Sequence, residues 1–266
     1  MEQKQVYVII TQPHSGGCTS DSQEIPCDLM ANAITHLLAD KLKKKNVIVM
    51  QVPEQYTKSR FQVDLNRYQS RNDPYRQVVR ELMNKAKAEV PRDLWSNIWV
   101  IDVHSFLNAE HAVEADVVLT DQLTTDYSIN SRSEYSNNSA YLRTLYNALI
   151  NRKFRTALFY GQVDPSSEQR RNMNDIIQEA KEFGLKAFLI NIRERQRISP
   201  EMRQQKQILD SKMNHRIRLS NEELELATKI TQTRTELQNY LESLVQEIAE
   251  VVFPSSSSKK FSEIFI

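Results

Sequence analysis

Three short polar stretches of the sequence combine residue types that bind metals and carboxylates. They are residues 12–17, which contain His14, residues 63–67, and residues 102–105, which contain His104. The first and third stretches each follow an apolar run that is typical of a buried strand. Because ligands bind at the carboxyl ends of the strands in open α/β sheets, we expect the two histidines to face one crevice. Imidazole is the commonest metal ligand in proteins, so this pair predicts a metal site, with Zn²⁺ as the expected ion.

A third protein ligand is needed, because a catalytic zinc ion takes three and keeps its fourth position open. Asp28, at the predicted start of the first helix, is the expected third ligand. Asp21 and Glu24 lie in the preceding loop and are alternatives, while Cys18 and Cys27 are softer ones. The sequence leaves these alternatives open.

Asp102 stands two residues before His104 and therefore projects from the same face of the predicted strand. A carboxylate in this position can accept a hydrogen bond from the imidazole and fix the orientation of the ring. We therefore expect Asp102 to support the metal site without binding the ion. The other histidines, His36, His111 and His215, lack such neighbours and are expected to be ordinary core or surface residues.

In order along the chain, the motifs Pro-His-Ser-Gly, Val-Asp-Leu-Asn-Arg and Asp-Val-His-Ser-Phe resemble those of the N-formylglutamate amidohydrolase family, a distant branch of the zinc carboxypeptidase-like fold. The resemblance covers roughly the first 110 residues. It implies that His14 and His104 bind zinc, together with an acid at the start of the next helix, where Asp28 stands. In the zinc carboxypeptidases the acid follows the first histidine by three residues, and this chain has Gly17 there.

The same resemblance implies a binding site for a substrate carboxylate at Asn66 and Arg67. A guanidinium group can pair bidentately with a planar carboxylate, and Asp64 is placed to orient the arginine. Without the neighbouring motifs, residues 64–67 are equally typical of a salt-bridged turn at the end of a strand.

The second half of the chain departs from the family at the general base. In the family, a glutamate on a late strand, commonly two residues before an arginine, takes a proton from the zinc-bound water and passes it to the leaving amine. The matching position here is Asn191, two residues before Arg193, and an amide cannot act as a base. Glu194 is the alternative base, although its odd offset predicts the opposite face of the strand.

These features favour a zinc-dependent amidohydrolase that acts on an N-acyl (N-formyl) amino acid or a similar small amide bearing a carboxylate. The alternative is a catalytically degenerate member of the fold with a binding, structural or assembly role, for instance in a virus particle. Asn191 and the long Gln- and Arg-rich C-terminal region favour this alternative. A plain α/β domain with coincidental motifs is the least favoured interpretation.

Alternating strand and helix patterns predict an α/β fold, a three-layer αβα sandwich around a mixed, mainly parallel sheet. The resemblance implies the zinc exopeptidase (phosphorylase/hydrolase-like) version of this architecture. Strands are predicted at residues 6–11, 47–52, 61–65, 98–103, 115–120, 156–160 and 185–192. Helices are predicted at residues 28–45, 139–152 and 166–183, with a further helix that opens at residue 73. Residues 121–138 form a polar loop long enough to be a lid or a substrate loop.

The composition changes at Ser199, where Arg, Gln, Glu and Lys begin to dominate. Residues 221–252 carry an apolar pattern with a 3.6-residue period, which predicts a long helix packed on the α/β domain. An arm that projects and binds a protein partner is the alternative for this helix. The expected division is an α/β domain at 1–198, a helical extension at 199–253 and a Ser-rich tail at 254–266.

The overall composition argues against several classes of partner. The formal net charge is +1, from 35 basic and 34 acidic residues, which gives no electrostatic reason to expect a nucleic acid or an anionic membrane. No apolar run approaches the about 20 residues that span a bilayer, and the N-terminus lacks a signal-peptide pattern. We therefore expect a soluble, cytoplasmic protein with a small carboxylate-bearing substrate, and association with a virion or assembly stays open. Two cysteines are too few for a disulfide framework.

Overall fold

The computed structural model describes residues 6–14, 29–58, 63–106, 115–120, 140–159, 174–193 and 200–253. Within these ranges the chain forms six strands and six α-helices, joined in part by short 3₁₀ helices. The strands are β1 (Tyr7–Thr11), β2 (Ile48–Gln51), β3 (Ile98–Phe106), β4 (Val117–Thr120), β5 (Thr156–Phe159) and β6 (Lys186–Arg193). The helices are α1 (Leu29–Lys43), α2 (Pro74–Glu89), α3 (Ala140–Asn151), α4 (Asp175–Glu182), α5 (Pro200–Asn214) and α6 (Asn221–Val252).

The strands form one mixed sheet in the order β2-β1-β3-β6-β4-β5. β2, β1, β3 and β6 run parallel to one another, whereas β4 runs antiparallel to β6, and β5 runs parallel to β4. The carboxyl ends of β1, β3 and β6 consequently meet at one edge of the sheet. The sheet is therefore mixed and mainly parallel, as the sequence predicts.

Side chains of the central strands alternate between two apolar layers, one on each face of the sheet. On β3, Trp99, Ile101 and Val103 pack in the layer that includes α1, α3 and α6. Ile98 and Val100 face the opposite layer, which includes α2 and α4. Helices cover both faces, so the predicted three-layer α/β sandwich is confirmed.

Local capping sets the ends of α2 and α4. The Asp73 side chain accepts the Tyr75 N–H, and Pro74 occupies the first turn of α2, where its missing N–H costs nothing. Gly184 follows α4 with a φ of +77°, a left-handed conformation that glycine adopts without steric cost. Both boundaries agree with the sequence-based expectations.

The predicted strand at 61–65 is wrong for its described part, because residues 63–65 lead into a turn rather than a sheet ladder. The Asp64 carboxylate accepts the Asn66 N–H over 3.2 Å, and the Arg67 N–H donates to the Asp64 carbonyl over 3.2 Å. An Asp side chain that bonds the backbone two residues onward stabilises a turn in place of an extended strand. Residues 61–62 lie outside the described ranges.

The helix predicted at 166–183 begins later than expected, at Asp175. Asn174 has extended backbone angles, and its side chain accepts the N–H groups of Ile176 and Ile177, which makes it the N-cap. Residues 166–173, like the loop predicted at 121–138, are outside the described part of the chain.

The long C-terminal helix is present, and its second half packs on the sandwich. Leu244, Val245 and Ile248 of α6 are fully buried in the same layer as α1 and α3. The first half of α6 is different, since Leu224 is half exposed. Among the described helices, none combines the length and the hydropathy that crossing a membrane requires.

Candidate functional site

The candidate site lies at the sheet edge where β1, β3 and β6 end. His14 follows β1 in a tight turn, His104 lies near the end of β3, and Asn191 of β6 is the register partner of His104. Directly paired residues on parallel strands share a face, so the side chains of His104 and Asn191 project from the sheet on the side of α2 and α4. The sheet register thus brings together residues that are far apart in the sequence.

His104 is held by a buried carboxylate with several hydrogen-bond partners. Its Nε2 lies 2.8 Å from Oδ2 of Asp102, and both side chains are almost completely buried. The Thr11 hydroxyl donates to Asp102 Oδ1 over 2.5 Å, and Asn174 Nδ2 donates to Asp102 Oδ2 over 2.6 Å. Two donors therefore fix the carboxylate that faces the imidazole.

The Asn66 amide contacts the same imidazole nitrogen, with Nδ2 placed 2.9 Å from His104 Nε2. One ring nitrogen cannot donate to a carboxylate and accept from an amide at the same time. A carboxylate is the stronger acceptor, so we assign the proton of a neutral ring to Nε2, an assignment that requires the Asn66 amide to be flipped so that its oxygen faces this nitrogen. His104 then has its lone pair on Nδ1, the form that a metal ion binds.

His14 lies beside His104, with the two ring centroids 5.4 Å apart. Its Nε2 is 3.2 Å from Asp64 Oδ1, and the second oxygen of that carboxylate accepts a hydrogen bond of 2.8 Å from Arg67 Nε. His14 is completely buried, whereas Asp64 and Arg67 are each about 30% exposed. The arginine therefore stands at the mouth of the crevice and the histidines stand inside it.

A buried tyrosine of α2 positions the turn that carries His14. The Gln12 N–H donates to the Tyr75 hydroxyl over 2.9 Å, and the Lys58 N–H donates to the Pro13 carbonyl over 3.3 Å. Burial, with the negative charge of Asp102 nearby, raises the pKa of the Tyr75 hydroxyl well above its usual value, so the group stays neutral. The turn is thereby held by polar contacts from two separate segments.

The turn at residues 64–67 is positioned by a buried arginine. Arg76 donates to the carbonyls of Leu65 and Arg67 over 3.1 and 3.4 Å, and its Nη2 contacts Asp175 at 2.9 Å and Glu179 at 2.5 Å. The Asp175 N–H also donates to the Asn66 carbonyl over 2.7 Å. Helix α4 and helix α2 therefore hold the backbone on both sides of Asn66.

Asn191 occupies the position where the resemblance places a glutamate. Its side chain is buried, and within the described part of the chain its Oδ1 has no hydrogen-bond partner. An unpaired buried amide oxygen costs about 1–3 kcal/mol, and a ligand N–H or a water molecule can remove this cost. The crevice beside His104 therefore offers an acceptor to a bound molecule.

The two imidazoles could supply two of the four donors that a zinc ion needs, since both are buried side by side and each contacts a carboxylate. Within the described ranges, no group of three or more His, Cys, Asp or Glu residues is arranged to hold a metal. The predicted third ligand Asp28 lies outside those ranges, as do its alternatives Asp21 and Glu24. Cys18, Cys27 and the alternative base Glu194 also lie outside them.

Four residues of this site are not singled out by the sequence, namely Thr11, Tyr75, Arg76 and Asn174. Each contacts the site through a partner at least 9 positions away in the chain, which leaves no local pattern for that contact. Asparagine ahead of a helical run is an N-cap signal, and this signal could have found Asn174 but not its bond to Asp102. His36 and His215 are exposed and distant in the sequence from the site, as expected for ordinary residues.

No protein-family model and no curated protein matches the sequence. Among solved structures, the chain is similar to an N-acetylmuramoyl-L-alanine amidase from Clostridium difficile 630, with 13% identity over 96% of this chain and 99% of that chain and a TM-score of 0.47. It is also similar to a gene product of Agrobacterium tumefaciens, with 14% identity, 74% and 83% coverage and a TM-score of 0.43. A metallo-carboxypeptidase from Burkholderia cenocepacia shows 14% identity, 72% and 49% coverage and a TM-score of 0.42. At such identities and TM-scores the three similarities assign no family and no activity to this chain.

Proposed function

We propose that the protein is a zinc-dependent amide hydrolase that acts on an N-acyl amino acid or a similar small amide bearing a carboxylate. The observation that carries the proposal is the pair of buried imidazoles with ring centroids 5.4 Å apart, each in contact with its own carboxylate. Burying two polar imidazole rings side by side in an ordinary core lowers the stability of the fold. Binding a metal ion would offset that loss.

His14 and His104 would hold the ion, with Asp28 as the proposed third ligand. A zinc ion in this position supplies a Lewis acid for an amide carbonyl and makes water nucleophilic near neutral pH. Asp102 faces Nε2 of His104 and would orient the imidazole, so that Nδ1 would be the nitrogen that holds the ion. Both histidines are enclosed, which excludes bulk water from this side of the crevice.

Arg67 would bind the substrate carboxylate at the mouth of the crevice. Asp64 holds Nε of the guanidinium, and this contact would orient the arginine side chain toward an anion. Farther in, Asn191 Oδ1 can accept a hydrogen bond from the N–H of the substrate amide. These two contacts would orient a small amide with its carboxylate outward and its acyl group toward the histidines.

The proton that moves from water to the leaving amine needs a base, and Asn191 cannot provide it. Glu194 remains the proposed base. A second candidate function follows from the same observation: an asparagine at this position suits a protein that binds a carboxylate-bearing ligand without turning it over. The two candidates share the metal and the arginine, and they differ in whether the amide bond is cleaved.

Metal analysis of the purified protein tests the proposal. We expect about one zinc ion per chain, a loss of that zinc in His14→Ala and His104→Ala, and wild-type zinc in the control His36→Ala, whose side chain is exposed on α1. Hydrolysis of N-formyl and N-acetyl amino acids should stop when a chelator removes the metal. Zinc well below one per chain in the wild type would overturn the proposal, and stoichiometric zinc without hydrolysis would favour the binding function.

A further inference from the structure

Asn174 joins helix α4 to the candidate site through both ends of one side-chain amide. Its Oδ1 accepts the N–H groups of Ile176 and Ile177 over 3.0 and 3.2 Å, and its Nδ2 donates to Asp102 Oδ2 over 2.6 Å. The residue is buried, so water does not compete for these bonds. The same side chain therefore caps a helix and contacts the carboxylate that faces His104.

The helix cap fixes the polarity of the amide. Because the oxygen of Asn174 is committed to two backbone N–H groups at the start of α4, the NH₂ group must point toward Asp102. A flipped amide would place NH₂ against backbone donors and oxygen against a carboxylate, which are two repulsive contacts. Asn174 is thus a donor of fixed direction.

This fixed donor also limits what Asp102 can do. The Thr11 hydroxyl holds Oδ1 and Asn174 holds Oδ2, so the carboxylate cannot rotate away from Nε2 of His104. With both oxygens held in this way, the carboxylate keeps Oδ2 directed at Nε2 of the ring as a hydrogen-bond acceptor. The proton of a neutral His104 is consequently drawn to Nε2.

We infer that Asn174 is a positioning residue, whose amide locks Asp102 and thereby selects the Nε2–H tautomer of His104. The inference rests on the proposed function only in that Nδ1 of His104 would bind zinc. If Asn174 acted only as an N-cap, serine or aspartate in its place would leave the tautomer of His104 unchanged. Both cap helices about as well as asparagine, but neither has an NH₂ group.

The experiment compares Asn174→Asp and Asn174→Ser, which keep a cap acceptor and remove the amide donor, with the full-length wild type. Ser220→Ala is the matched control, since it deletes a side-chain N-cap from α6, far along the chain from the site. The first readout is the tautomer of His104 in the metal-free protein at pH 8, measured by long-range proton–nitrogen NMR and assigned with His104→Gln. The second readout is the zinc Kd from competition with a chelator.

We expect a single Nε2–H tautomer in the wild type and in Ser220→Ala, and a mixture or the Nδ1–H form in at least one Asn174 variant. Zinc should bind about 10-fold more weakly to that variant, the usual size of an effect transmitted through a ligand's hydrogen-bond partner. A wild-type tautomer in both Asn174 variants would overturn the inference. If the wild type binds no zinc and the tautomer still shifts, the proposed function fails and the positioning role of Asn174 stands.

Discussion

At the scale of single residues, Asn191 is the position that determines whether β6 supplies a general base to the site. It is the register partner of His104, lies on the same face of the sheet, and is buried beside it. A glutamate here would place a carboxylate next to His104 on the same face of the sheet, whereas an asparagine can only donate or accept hydrogen bonds. The chemistry of the site therefore depends on whether a carboxylate outside β6 replaces it.

Replacing Asn191 with glutamate is expected to increase amide hydrolysis by about 10²-fold or more, the usual contribution of a positioned base. Asn191→Gln is the matched control, because it adds the same length without a basic group. The initial rate on an N-formyl amino acid at pH 8 measures the effect. Equal rates in the two variants would show that the base lies elsewhere, and Glu194→Gln would then be expected to lower the wild-type rate.

At the scale of elements, α2 and α4 act together on the turn that carries Asn66. Arg76 of α2 is fully buried, and so are its partners Asp175 and Glu179 of α4. Arg80 and Arg71 extend this ion network toward the surface, with Arg80 on Glu179 at 3.0 Å and Arg71 on Asp175 at 2.6 Å. Without Arg76, each buried carboxylate would keep only one arginine partner, and that partner is partly exposed.

Arg76→Met is therefore expected to lower the free energy of unfolding by about 3–5 kcal/mol, because two buried carboxylates lose a partner. Arg152→Ala is the comparison, since Arg152 pairs with Glu247 at 2.8 Å but its side chain is 67% exposed. That variant should cost less than about 1 kcal/mol. Urea denaturation followed by circular dichroism measures both, and a cost below 1 kcal/mol for Arg76→Met would contradict the role assigned to the network.

At the scale of the whole molecule, the sheet has its candidate site on one layer and its C-terminal helix on the other. The second half of α6 completes the apolar layer over α1 and α3, while Lys45, in the turn after α1, contacts Glu250 at 2.7 Å. Exposed apolar side chains in the described residues lie mainly on α5, the following turn and the start of α6, including Ile208, Met213 and Ile217. Helix α6 thus packs in the core through its second half and is exposed to solvent near its start.

Leu244→Ala is expected to lower the free energy of unfolding by about 2–5 kcal/mol, because it leaves a cavity in this layer. Leu224→Ala, on the exposed half of the same helix, should change it by less than about 0.5 kcal/mol. Chemical denaturation of the two variants makes the comparison. If both costs were small, α6 would contribute little to the folded state and its packing against α1 and α3 would be marginal.

The sequence by itself determined the strands and helices that have a strong local pattern. The apolar runs at β1, β3 and β6 and the period of α6 were sufficient to predict a mixed α/β sandwich, because burial imposes a repeat that is visible locally. The Asp73-Pro74 pair and Gly184 marked helix ends for the same reason. The ends of the two predicted strands also led us to expect His14 and His104 close together, and their ring centroids are 5.4 Å apart.

Only the tertiary structure decided how that crevice is held. The partners of Gln12, Arg76 and Asn174 lie 63, 99 and 72 positions away, at Tyr75, Asp175 and Asp102 respectively. A buried polar residue satisfied by a distant partner has no periodicity, so in the sequence it resembles an ordinary surface residue. Residues 63–65 do not form the predicted strand for a related reason, since side-chain hydrogen bonds rather than a neighbouring strand hold the backbone at Leu65 and Asn66. Local patterns determine elements, whereas the support of a site depends on contacts that exist only once the chain has folded.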